Sequence, residues 1–379
     1  MNFVLQHTEK YSKARAGTLE TDHGKIDTPV FMPVGTAGSV KAIHQRELKD
    51  DIKAQIILGN TYHLYLRPGL EVLSAIGGIH NFMNWNKPIL TDSGGFQIFS
   101  LSTLRKIKDE GVQFSSHLDG TRYFFTPEKI IEIQRIIGSD IIMPLDECLE
   151  NPVDKKNAAK SLALTTQWEK RCLEYFKKSR PEYGFKQFLF GICQGSTYED
   201  LRKEHIDILT QLDFSGYSIG GLAVGEEIKT MYDVVDFSTD LLPVNKPRYL
   251  MGVGTPVDLL ECISRGIDMF DCVIPTRNAR HGRLFTTYGE VNLRNAKLKF
   301  NFNSPDEECN TYTSENFSLA YLRHLFISNE ILGMQLATIH NLGFYLKLMK
   351  EIRKAIKENK FSEFKQDFLN KYLSKKFKL

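Results

Sequence analysis

The sequence predicts an α/β fold: a (β/α)8 barrel with an inserted hairpin, followed by a C-terminal helical subdomain. Three observations lead there. Short apolar runs of strand length alternate with helical segments along most of the chain, the rhythm of βαβ units on a parallel sheet. Almost every unusual residue (Asn60, Asp92, Asp146, Gln194, Gly221, Gly252, Asp271) falls where such a run ends. A closed barrel gathers all strand C-termini on one face, where barrel active sites lie, whereas an open doubly wound sheet uses a single crevice.

Taken in order, strands are expected at 28–34 (TPVFMPV), 54–59 (AQIILG) and 87–91 (KPILT), the last running into Asp92-Ser93-Gly94-Gly95-Phe96-Gln97. Residues 112–116 and 123–125 read as an inserted hairpin with Asp119-Gly120 in its turn. Thr126, Pro127 and Glu128 open a helix through Arg135, with Thr126 as N-cap and proline at the first helical position. Strands at 139–145, 188–192, 217–221 and 248–253 then alternate with helices at 157–178, 198–212, 228–242 and 256–265. The last strand is expected within 267–274, with Asp271 inside it and Pro275 ending it. The barrel core is assigned to 1–297, completed by C-terminal helices, and the helical subdomain to 298–379, with helices at 317–327 and 329–357. From Lys347 onward the tail carries 11 Lys/Arg against four Asp/Glu, a basic helix that is either a solvated face or a phosphate-contacting one.

Composition is that of a globular protein: of 379 residues, 42% are hydrophobic and 25% charged, with a net charge of +3. The chain is not globally polycationic, so nucleic-acid binding must come from local patches. Six cysteines with no CxxC pair point to free thiols in a reducing compartment, and no signal core or bilayer-length apolar run is visible. The expected location is the cytoplasm, with no membrane partner.

The chemistry is concentrated in GIDMFDCVIPTRNARHGR, 266–283. Asp271 sits in an apolar run, where an isolated carboxylate is costly unless paired, ligand-bound or reactive. Arg277, Arg280 and Arg283, with Asn278 and His281, follow at once, which suits phosphate contact. The alternative is a strand-end salt bridge between Asp271 and a neighbouring arginine. Asp92, Asp146 and Asp271 converge if the barrel closes. Two facing carboxylates are the minimum for displacement at a sugar carbon, one attacking and one handling protons. Ser93, Gly94 and Gly95 offer backbone N–H groups to a ligand, and Phe96 offers a flat face for a planar base, though it reads equally as a core aromatic. Asp146, Gln194 and Gly221 match the donor and acceptor edge of a purine, while Gln194 reads equally as a satisfied strand-end amide.

These residues resemble the bacterial tRNA-guanine transglycosylases, also called queuine tRNA-ribosyltransferases. The stretches that carry the resemblance are FMPVGT (31–36), LGNTYHLYLRPG (58–69), LTDSGGFQ (90–97), LDEC (145–148), CQG (193–195), GGLAVGE (220–226), YLMGVGTP (249–256), MFDCVIPTRNARHG (269–282) and TIHNL (338–342). The resemblance implies a homodimeric (β/α)8 barrel that exchanges guanine at the wobble position of tRNAs with GUN anticodons (Asp, Asn, His, Tyr) during queuosine biosynthesis. It makes Asp271 the nucleophile on the ribose C1′ and Asp92 the proton acceptor. The base would contact Asp92, Ser93, Gly94, Gly95, Phe96, Asp146, Gln194, Gly221, Leu222, Ala223, Glu226 and Met251. The RNA would contact Gly252, Val253, Gly254, Thr255, Pro256, Val257 and Asp258, and also Thr276, Arg277, Asn278, Ala279 and Arg280. Cys148 and Val224 resemble the bacterial type, whose pocket suits 7-aminomethyl-7-deazaguanine rather than queuine. No cofactor is implied for the chemistry.

One departure stands out. The resemblance implies a structural zinc held by three cysteines and a histidine. Cys309 and His340 occupy two of those positions, but Thr311 and Ser314 replace the other two cysteines. Hydroxyls are poor zinc ligands, so no tightly bound zinc is expected. The subdomain would then rest on Phe317, Tyr321, Leu322, Leu325 and Ile339. Three competing functions remain: a queuine-salvaging version of the same enzyme; a non-catalytic tRNA-binding partner subunit, which would be expected to lack Asp92 or Asp271; and a barrel glycosidase, which gives no reason for the base edge or the arginines.

Overall fold

The computed structural model describes residues 2–101 and 105–374. Its centre is a ring of eight parallel strands: Val30–Met32, Ile57–Asn60, Ile89–Asp92, Ile141–Ile142, Phe188–Cys193, Gly216–Ile219, Arg248–Leu250 and Met269–Asp271. From the second strand on, each pairs with the next in sequence, the last pairs with the first, and a parallel bridge between Val34 and Leu58 closes the ring between the first and second. This is the expected (β/α)8 barrel. The lumen is packed, not open: Val30, Met32, Leu58, Leu90, Ile141, Met143, Phe190, Ile192, Tyr249 and Met269 form one buried cluster, the layered filling such barrels require.

An antiparallel sheet that the sequence reading missed (Asn2–Thr8, Arg15–Thr21, Gly24–Thr28) caps the N-terminal end of the ring. Leu19 and Ile26 enter the lumen cluster. His23, in the turn between the second and third of these strands, bonds through Nδ1 to Asp140, just before the fourth barrel strand, at 2.8 Å.

Outside the ring lie the helices, and local rules place their ends. Thr126 accepts from Lys129 N at 3.2 Å and Pro127 fills the first turn of Pro127–Ile137. Asp154 caps Lys155–Lys178, and Thr255 caps Pro256–Ser264. The helix Ile331–Lys357 packs on Ile274–Arg280 and on the first barrel strand, covering the seam where the ring closes. Arg353 on it donates to Gly17 O at 2.6 Å and to Asp27 at 2.9 Å, tying the C-terminal helix to the N-terminal sheet.

Several boundaries differ from the sequence reading. Only Ile141–Ile142 pair within 139–145, because Met143 and Leu145 are buried without laddering. The last strand stops at Asp271, and Pro275 does not end it: Pro275 sits in the first turn of the helix Ile274–Arg280, a position that suits proline's missing N–H. The insertion is a three-stranded sheet, Arg105–Lys108, Gly111–Ser115 and Arg122–Phe125, rather than a two-stranded hairpin. A second hairpin, Arg283–Thr286 with Gly289–Asn292, went unread. Tyr321 lies at the edge of the C-terminal packing: it is 40% exposed and stacks on Phe317, while Leu322 and Leu325 are buried with Leu319, Phe326 and Leu336. The last residues of the basic tail, 375–379, lie outside the described residues.

Candidate active site

Asp271 ends the eighth strand at the C-terminal mouth of the barrel. Tyr249, which rises through the lumen from the seventh strand, donates its hydroxyl to Asp271 Oδ1 at 2.6 Å, and Gly252 N donates to the same oxygen at 2.8 Å. Oδ2 has no hydrogen-bond partner among the described residues. The carboxyl is pushed above its ordinary range by burial, and the Tyr249 and Gly252 bonds pull it back. No arginine pairs with it among the described residues. Arg277 is exposed and Arg280 turns back to Thr276 O at 3.0 Å, while Arg283 pairs with Glu290 at 3.2 Å. The strand-end salt bridge is therefore not what holds Asp271.

Asp92 ends the third strand, beside Asn60 at the end of the second. Asn60 Nδ2 donates to Asp92 Oδ2 at 2.8 Å, and Gly94 N donates to Oδ1 at 3.1 Å. Burial drives its carboxyl up to about 7, and the negative charge of Asp271 adds to the rise against the opposing bond from Asn60. A carboxyl near 7 takes and returns protons at neutral pH. The turn needs Gly94: its φ is +77°, and a Cβ there would lie 2.7 Å from Tyr62 N.

Behind this pair is a buried polar wall. Asp146 is 6% exposed and accepts from Gln194 Nε2 at 2.8 Å and from Ser93 Oγ at 3.4 Å. Burial raises its carboxyl to about 6, opposed by those two bonds. Gly221, at φ +65°, passes so close that a Cβ would meet Gln194 Oε1 at 2.3 Å. The wall is held from behind by residues the sequence reading overlooked. Arg202, fully buried, donates to Cys193 O at 2.7 Å, Gly220 O at 2.8 Å and Ser196 O at 2.8 Å. His205 Nδ1 accepts from Gln194 N at 3.0 Å, and burial, then Arg202, lowers its pKa to about 3, so the ring is neutral. Only the helical spacing of Arg202 and His205 after Gln194 could have flagged them.

The remaining expected residues are distributed as follows. Phe96, in the first turn of Gly95–Leu101, is 49% exposed, and Gly95 N bonds to Ser93 Oγ at 3.2 Å. Leu222 is buried and Met251 partly so, while Glu226 accepts from Val224 N at 3.1 Å and also from Ala223 N. In the next loop Gly252 is exposed, but Val253, Gly254 and Pro256 are buried, with Thr255, Val257 and Asp258 between. Asp258 is engaged by Tyr232 Oη at 2.6 Å and by Thr255. On the helix Ile274–Arg280, Thr276 and Ala279 face inward, Arg277 is exposed, and Asn278 and Arg280 lie between.

Away from the mouth, the side chains at three of the four zinc positions, Thr311, Ser314 and His340, come together. His340 Nε2 bonds to Phe285 O at 2.8 Å, so that nitrogen carries the proton and Nδ1 accepts. Ser314 Oγ lies 3.1 Å and Thr311 Oγ1 3.2 Å from Nδ1, and Thr311 Oγ1 donates to Ser314 Oγ at 3.1 Å. Burial lifts the Cys309 thiol to about 12. Thr311, Ser314 and His340 thus bond to one another, and Cys309 adjoins them through its carbonyl, which accepts from Thr311 N at 2.7 Å.

Comparison with known proteins gives a family match over nearly the whole chain. A family model described as "Queuine tRNA-ribosyltransferase" matches residues 10–374. Proteins of that name are similar along almost their whole length: one from Thermoanaerobacter sp. is 58% identical over 98% of both chains. One from Halothermothrix orenii is 55% identical over 99% of both, and one from Aquifex aeolicus is 54% identical over 98% of this chain and 100% of its own. The chain belongs to the queuine tRNA-ribosyltransferase family.

Proposed function

We propose that this chain is a tRNA-guanine transglycosylase working by double displacement. Oδ2 of Asp271 attacks the ribose C1′ of the wobble guanosine, the glycosidic bond breaks, and Asp92 delivers a proton to the departing guanine. The incoming base then gives its N9 proton to Asp92 and attacks C1′, releasing the Asp271 carboxylate. The observation that carries the reading is the asymmetry of Asp271, with Oδ1 bound twice and Oδ2 left open at the mouth. Asp146, Gln194 and the close-lying Gly221 would read the base edge, Phe96 would stack on it, and Ala223 with Glu226 would receive an aminomethyl group. Arg277 and Arg280 would hold the anticodon loop. The bacterial-type Cys148 and Val224 favour 7-aminomethyl-7-deazaguanine. Labelled guanine entering tRNA, with that base competing far better than queuine, is the expected outcome. Queuine competing equally well would select the salvage version, and no incorporation would reject the enzyme.

Three further points belong to this reading. The chain holds no stoichiometric zinc, since the hydroxyl-histidine network takes its place. It forms a homodimer through its C-terminal part, where Phe300, Phe302 and Ile331 are more than 70% exposed, apolar side chains that a partner copy would cover. Sedimentation at twice the chain mass, lost in Ile331→Glu, checks this. It works in the cytoplasm, in keeping with six free cysteines, five of them buried.

A further inference from the structure

The inserted sheet has a second face that the catalytic reading does not use. Its strands read RKIK, GVQFS and RYFF: four cations and no acid. Register assigns the side chains. Lys106, Gln113 and Phe124 stand opposite one another, as do Ser115 and Arg122, and Lys108 shares their side. The other side carries Val112, Phe114 and Phe125, which are buried, and Phe114 and Phe125 reach Tyr62 and Tyr65 of the barrel. The outer side is open: Lys106, Lys108 and Arg122 are exposed, and Phe124 is 44% exposed. Lys106, Lys108 and Arg122 form no ion pair among the described residues.

Two of the nearby acids are engaged elsewhere. Asp119 binds Thr121 at 2.9 Å, and Glu128 pairs with Arg171 at 2.8 Å. Asp109 and Glu110 lie in the far turn, where their carbonyls accept from Arg171 at 3.0 and 3.2 Å. The sheet is pinned at both ends: Trp168 Nε1 donates to Asp109 O at 2.9 Å, and Tyr62 Oη bonds to His117 Nδ1 at 2.7 Å. Tyr62 follows Asn60 in the turn beside Asp92, so the His117 end adjoins the mouth.

We propose that this outer face is a second tRNA-binding surface. Lys106, Lys108 and Arg122 take backbone phosphates, and Phe124 supplies an aromatic plane for an unpaired base, in a part of the same tRNA that lies outside the reacting nucleotide. Cations with an interleaved exposed aromatic on a rigid sheet are the arrangement that binds single-stranded RNA without reading sequence. The proposal rests on the exchange activity proposed above, so wild-type exchange is the control that separates the two.

The test uses the full chain with Lys106→Gln, Lys108→Gln and Arg122→Gln combined, and separately Phe124→Ser. At moderate salt the triple variant should raise KM for tRNA about tenfold or more, while KM for the free base and kcat stay within about twofold. The slope of log KM for tRNA against log salt should fall by roughly 2, since each phosphate contact contributes about 0.7–0.9. Phe124→Ser should raise KM for tRNA with the salt slope unchanged. Unaltered KM and slope in the triple variant, with wild-type exchange intact, would overturn the proposal. So would a parallel rise in KM for the free base, which would mean the sheet only props the mouth.

Discussion

Tyr249 Oη lies 2.6 Å from Asp271 Oδ1, and the same oxygen receives Gly252 N. Two donors on one oxygen orient the carboxylate and leave the other oxygen without a hydrogen bond among the described residues. The tyrosine is buried, and burial together with the Asp271 charge raises its own pKa far above the ordinary value, so it stays a donor. Tyr249→Phe should therefore lower kcat/KM about ten- to hundredfold, as expected for a lost bond to a charged group worth about 1.5–3 kcal/mol. It should also move the acidic limb of the pH profile upward, because a bond that lowers the Asp271 pKa is gone. A profile with an unmoved limb would mean that Tyr249 only fills the lumen.

Burial raises Asp92 to about 7, so capture of free base by the covalent intermediate, followed in a single turnover, should rise with pH through about 7 as the base form appears, while release of guanine, which needs the acid form, should fall. Asn60→Ala removes a donor that holds this value down, and the limb should shift to higher pH. A limb that stays in place would separate Asn60 from the proton step.

The same shift has a cost in stability. The folded pKa lies above the ordinary 3.8, so the folded chain binds the extra proton, and this group's contribution to stability falls as pH rises from about 4 through 7. Asp92→Asn should abolish exchange yet raise Tm at pH 8, with the gain vanishing near pH 4. An equal gain at both pH values would refute burial of a charged carboxylate as the cause.

Gly221→Ala places a methyl group 2.3 Å from Gln194 Oε1 at a positive φ. Gln194 must move, breaking its bond to Asp146. KM for the base should rise at least about tenfold while tRNA affinity, measured by filter binding, is retained. Equal losses in both would place the fault in the fold rather than in base reading.

His340→Ala leaves the buried Phe285 carbonyl and the Thr311–Ser314 pair without their partner. It should destabilise the chain by about 1–3 kcal/mol, the cost of unsatisfied buried polar groups. Metal analysis of the unaltered chain should find no stoichiometric zinc, and Thr311→Cys with Ser314→Cys should create a binding site for it. One zinc per chain in the unaltered protein would contradict the hydroxyl network.

Much of this was legible because barrel strands end abruptly in polar residues. Asn60, Asp92, Asp146, Gln194 and Asp271 each break an apolar run, and ring closure brings them to one mouth. The N-terminal sheet was not legible: its first strand alternates exposed and half-buried residues and lacks the continuous apolar run of a buried strand. The edge strand Arg105–Lys108 is wholly exposed and likewise carries no pattern. Tyr249 was hidden for the opposite reason, since an aromatic inside YLM reads as lumen packing until its hydroxyl is seen to reach the carboxylate. Arg202 and His205 bond to backbone brought near by folding, and spacing alone does not reveal that.

On the proposed mechanism Asp271 bonds covalently to the ribose. Wild-type protein quenched in denaturant with tRNA and a base analogue that fills the pocket but cannot attack C1′ should give an RNA-linked species whose adducted peptide contains Asp271, and Asp271→Asn should give none. An adduct in that variant, or one mapped to Asp92 or Asp146, would contradict the account.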